Sequence, residues 1–147
     1  MIGRVTSRVC SVFAVSALLF SIPLYAGEIT PKMQKKIDVY KKQAVAWAAD
    51  PAIVSAVQAA NAKGPIEGMG NAKWKELKET DSVVSGFITN PTGQLLTKWM
   101  NADSAGINKI VLSGAKSQRV AFTSMPAIYL GKGKPNFDTS MNDGKVW

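Results

Sequence analysis

The sequence predicts an α+β protein, with helices first and a small antiparallel sheet after them. Three observations carry that expectation. Apolar residues recur at helical spacing through the first two-thirds of the chain; Gly106 closes that texture; and two β-type runs follow, Ile107–Leu112 and Arg119–Ser124, joined by the polar turn SGAKSQ.

Taken in order, the first element is a leader. Arg4 and Arg8 form a basic start, Val9–Ile22 is an unbroken run of apolar and small residues, Pro23 breaks it, and Ala26 precedes Gly27. This is the layout of a secretory signal peptide over 1–26, and the run falls short of the roughly 20 residues that span a bilayer. Residues 27–147 are then expected as a single exported, periplasmic domain, helical over about 30–105 and sheet-bearing over about 106–147. No later run is long and apolar enough to span a membrane. Cleavage removes two of the 18 basic residues and none of the 10 acidic ones, so the net charge falls from +8 to about +6, a balance that favours anionic ligands, partners or surfaces.

Thr30 followed by Pro31 starts a helix, as does Asp50 followed by Pro51, so one broken helical arm is expected, ended by Gly64-Pro65. On its first half Met33, Ile37, Tyr40, Ala44 and Trp47 alternate by four and three, a single stripe that serves as core or as a seam for another subunit. A short helix capped by Asn71 turns Trp74 and Leu77 inward, DSVVSGFI adds a turn or two, and Asn90-Pro91 opens a helix with Leu95, Leu96 and Trp99 on its apolar face. In the first β run, Ile107 and Val111 face one way and Ile110 and Leu112 the other, as in a strand covered on both faces. Beyond Pro126 comes a loop rich in Gly and Lys, expected to lie over the sheet, then a short helix in NFDTSM and a further strand beginning in GKVW. Two or three short strands make a small, incomplete sheet for a domain of this length.

The chain has no histidine, and its one cysteine, Cys10, lies in the leader. Histidine-based triads and the usual zinc sites are therefore excluded. The acidic residues are scattered, without a calcium ladder or a carboxylate pair, and neither LSGAKS nor YLGKGKP matches a phosphate-binding loop. Lys116 beside Ser117 or Ser113 is a chance pairing rather than a Ser-Lys dyad. No enzyme activity, cofactor or metal is expected, and the dispersed lysines do not make a nucleic-acid surface. What remains is the basic loop, where Lys132 and Lys134 flank glycines after Tyr129 and offer ammonium and backbone N–H groups to a carboxylate.

Trp47, Asp50-Pro51-Ala52-Ile53-Val54, Ala56-Val57 and Asn61 on the arm, then Lys73-Trp74, Asn90-Pro91 and Leu95-Leu96, are followed by Gly106–Leu112, Val120-Ala121-Phe122-Thr123, Tyr129, Gly131-Lys132, Pro135, Phe137 and Gly144–Trp147. In this order and spacing the chain resembles the extracytoplasmic Cache, or PDC-type, sensor domains, whose sheet is PAS-like. The resemblance covers most of residues 46–147. It departs from the family at SGAKSQ, where the family has an Asp-Gly turn, and family members continue into further strands past the equivalent of Gly144–Trp147. The resemblance implies a sensor domain that binds a small organic molecule, with a carboxylate as one candidate, and signals through a membrane-bound partner or a homodimer joined by the N-terminal helix. It implies Arg119 or Lys132 as the carboxylate's partner, Thr123 as a hydrogen-bonding group, and Tyr129 and Phe137 as walls. The rival reading is an envelope interaction module that pairs through the Met33–Trp47 stripe and binds no small molecule.

Overall fold

The computed structural model describes residues 29–102 and 106–143; the expected leader and the expected strand in GKVW lie outside the described residues. The element order is α1 (Pro31–Ala48), α2 (Pro51–Lys63), α3 (Asn71–Trp74), α4 (Ser82–Thr89), α5 (Pro91–Ala102), β1 (Val111–Ser113), β2 (Arg119–Phe122) and α6 (Pro135–Asp143), an α+β arrangement. No helix among the described residues is long and apolar enough to cross a membrane.

The arm breaks where the sequence places the break. The Thr30 hydroxyl accepts from Met33 N–H and caps α1, and the Asp50 carboxylate accepts from Ala52 N–H and caps α2. Pro51, at the first position of α2, is free of the N–H that a continuous helix would need. Gly64, at φ 77°, ends α2 in a conformation that a side chain would strain. At the next expected cap the structure differs. Gly70 holds the N-cap position of α3, and Asn71 is instead its first residue. The Asn71 side chain is spent on a distant loop, accepting from Tyr129 N–H and Leu130 N–H and donating to Leu130 C=O. A tertiary demand for three hydrogen bonds outweighs a local cap.

Two apolar clusters hold the domain. Trp74, wholly buried, lies in one with Met69, Val84, Phe122 and Tyr129; its ring stacks on Tyr129 at 5.3 Å and meets Phe122 edge-on, and its indole N–H donates to Pro126 C=O. Ile53, Leu96 and Ala121 form the other, which Leu95, Trp99, Ile110 and Leu112 flank. Neighbouring residues of β2, Ala121 and Phe122, belong to different clusters, so this short strand ties both together.

The β1–β2 hairpin is antiparallel, with Val111 opposite Phe122, Leu112 opposite Ala121 and Ser113 opposite Arg119, and a bulge between Leu112 and Ser113. β1 is shorter than the run Ile107–Leu112 suggests. Ile110 C=O still accepts from Thr123 N–H at 3.0 Å, but Ile110 N–H is taken by the Thr123 hydroxyl at 3.1 Å rather than by a backbone carbonyl, so the next ladder pair is only half formed. Its two faces are not both covered: Ile110 and Leu112 pack on the Ile53 cluster, while Val111 is exposed. The Gly/Lys loop also differs from expectation. It runs beside the hairpin rather than over it, joined by a bridge between Gln118 and Leu130 and by Gly131 N–H donating to Ser117 C=O.

Candidate functional site

Leaving Val111 uncovered opens a cleft of about 670 Å³ between the hairpin, the loop after Pro126 and α6. Three cationic residues line it (Lys109, Arg119 and Lys134) and, among the described residues, no acidic one. Arg119 is half-buried at the start of β2. Its Nε–H donates to Ile128 C=O at 3.0 Å and its Nη1 to the Ser113 hydroxyl at 2.7 Å. These two bonds fix the guanidinium plane and leave the Nη2 hydrogens without a protein acceptor among the described residues. Burial lowers the Arg119 pKa from its ordinary value, and an arginine so placed is still cationic at neutral pH. Its charge is partly desolvated with no described carboxylate beside it, a cost that a bound anion would offset.

Phe137, from α6, forms part of the same cleft, and its ring packs against Gly131, where a β-carbon would lie 3.4 Å from it. The structure thus brings Arg119 and Phe137 together. It does not bring the other three residues with them. Lys132 lines a separate groove of about 450 Å³ on the other side of Phe137, beside Asp138. Thr123 spends its hydroxyl on Ile110 N–H. Tyr129 is 1 % exposed, stacked on Trp74, with its hydroxyl accepting from Ile66 N–H at 2.9 Å; it anchors the loop rather than lining either cleft.

Lys134, singled out with the basic loop, does line the cleft, and the residues that sequence reasoning missed are Ser113 and Lys109. Ser113 orients Arg119, a role that follows from cross-strand register. Lys109 donates to Met125 C=O at 3.0 Å, which places its charge at the rim.

The helical stripe is divided. Met33 is 54 % exposed and Ala44 is exposed, whereas Ile37, Tyr40 and Trp47 are half-buried. Trp47 stacks on Trp99 at 5.1 Å with the rings 5° from parallel, and Tyr40 approaches Gly106 so closely that a β-carbon there would overlap its hydroxyl. No residue of α1 is buried. Between α1, α5 and β1 lies an apolar recess of about 220 Å³, walled by Trp47, Trp99 and Leu112 among others, without a charged side chain to orient a polar ligand.

No family model matches the chain, and neither the curated proteins nor the solved structures contain a match to it.

Proposed function

We propose that this chain is a Cache-like, PAS-related ligand-binding domain of the periplasm that takes a small organic anion in the Arg119 cleft and reports it to a partner protein. One observation carries the reading: a half-buried guanidinium, held in place by Ile128 C=O and Ser113, lies in a cleft lined, among the described residues, by three cations and no acid. A structural arginine of this burial is ordinarily paired with a carboxylate; here an anionic ligand supplies the missing charge. The reading needs no catalytic group. Thermal unfolding of the purified protein, alone and with small carboxylates, amino acids and amines, tests it. Ligands that bind only the folded state raise the midpoint, so carboxylates should raise it and amines should not. A midpoint that no anion moves would contradict the proposal.

A second reading is favoured by α1, which buries none of its residues and exposes Met33, Val39 and Val45. On that reading the arm is the surface through which the domain meets a partner, or a second copy of itself, and the two readings combine naturally as input and output.

A further inference from the structure

Building on the anion-binding reading above, we infer that the ligand of the Arg119 cleft is an amphiphilic monocarboxylate, a single carboxylate carried on an aromatic or branched aliphatic tail. The cleft has one half-buried cationic pole. Arg119 is oriented by two hydrogen bonds, and its free Nη2 edge suits a flat, two-oxygen anion. Lys109 and Lys134 are exposed, so solvent screens them and they do not make a second buried anion seat. Away from the pole Val111, Pro126, Ile128, Phe137 and Met141 supply an apolar wall, with Asn136 and Ser140 as polar neighbours on α6.

Size and composition together select the class. At about 670 Å³ the cleft is far larger than acetate or phosphate needs and lies within the usual range for small organic ligands. A bare anion would leave the apolar wall wet. A dicarboxylate would have to carry its second charge past the apolar wall to the exposed Lys109 or Lys134, where solvent screens the pairing. A tail covers that wall instead. The Phe137 ring offers an offset stacking surface, and the Met141 thioether adapts to tails of different shape.

Titration of the purified protein with phenylacetate, 3-methylbutyrate, acetate, succinate and benzyl alcohol, followed by amide NMR shifts, tests the assignment. Phenylacetate and 3-methylbutyrate should bind roughly tenfold or more tightly than acetate and succinate, since the tail removes apolar surface from water. Benzyl alcohol should not bind in the same range. Phe137→Ala should bring phenylacetate down towards acetate, and Met141→Ser, at an exposed position, should weaken 3-methylbutyrate without disturbing the fold. Succinate or acetate binding as tightly as phenylacetate would overturn the amphiphile assignment and leave the anion reading standing. Binding of benzyl alcohol with no response to any anion, or silence from every compound, would overturn the anion reading itself and the assignment with it.

Discussion

Arg119 and Ser113 work as a pair: the serine hydroxyl accepts from Nη1, and without it the guanidinium loses one of its two fixed points. Ser113→Ala should weaken carboxylate binding about three- to tenfold, as the guanidinium loses a fixed point, and should cost about 1 kcal/mol in urea unfolding. Tyr129→Phe should show a different pattern. It strands the Ile66 N–H that the phenol now accepts from, costs about 1–2 kcal/mol in urea unfolding, and leaves ligand affinity intact. Of these residues the sequence offers Arg119 and Phe137 as candidates and the structure puts them in one cleft. Ser113 is invisible without the register, because the bulge after Leu112 decides which residue stands opposite Arg119. Asn71 has the residue type of a helix cap, and nothing local reveals that its partners, Tyr129 and Leu130, lie 58 and 59 residues further along the chain. Tyr129 stands beside a Gly/Lys loop, which makes it look like a binding residue, but its aromatic ring is drawn into the Trp74 core.

Capping chemistry makes helices the most legible elements. Thr30-Pro31, Asp50-Pro51 and Asn90-Pro91 each open a helix, and the Asn90 side chain accepts from Gly93 N–H at 2.7 Å. Gly93 is required where α4 meets α5. A β-carbon there would stand 2.7 Å from the Ile88 carbonyl carbon and closer still to the carbonyl oxygens of Phe87 and Ile88. Since those are backbone atoms that cannot swing aside, Gly93→Ala should cost on the order of 2–3 kcal/mol in denaturant unfolding despite alanine's better helix propensity. α1 should behave differently. Met33→Glu changes an exposed side chain and should leave monomer stability within about 0.5 kcal/mol of the parent. If the arm is an interaction surface, the same change should lower the oligomeric mass or the partner affinity, measured by sedimentation. Strands are less legible than helices here. The run Ile107–Leu112 has strand composition throughout, but the Thr123 hydroxyl takes the Ile110 N–H, so the pair beyond Val111 and Phe122 is only half bonded.

At the scale of the whole molecule, the hairpin organises both the core and the cleft. β2 sends Ala121 into the Ile53 cluster and Phe122 into the Trp74 cluster, and its first residue, Arg119, turns towards the cleft. The turn is tied to the end of α2, where the Asn61 side-chain Oδ1 accepts from Ala115 N–H and the Gln118 side-chain amide donates to Ala60 C=O, so the arm and the cleft are mechanically connected through α2. A ligand that pulls on Arg119 therefore acts on a strand continuous with the turn that α2 holds, and α2 leads directly to the exposed arm. The central claim is that Arg119 is the anion's partner. Isothermal titration of phenylacetate into the parent protein, Arg119→Gln and Arg119→Lys tests it most directly. The account predicts saturable binding to the parent, loss of at least about tenfold with Arg119→Gln, and partial retention with Arg119→Lys, which keeps the charge and loses the fork. Equal affinity in all three, with each variant folded by thermal unfolding, would contradict it.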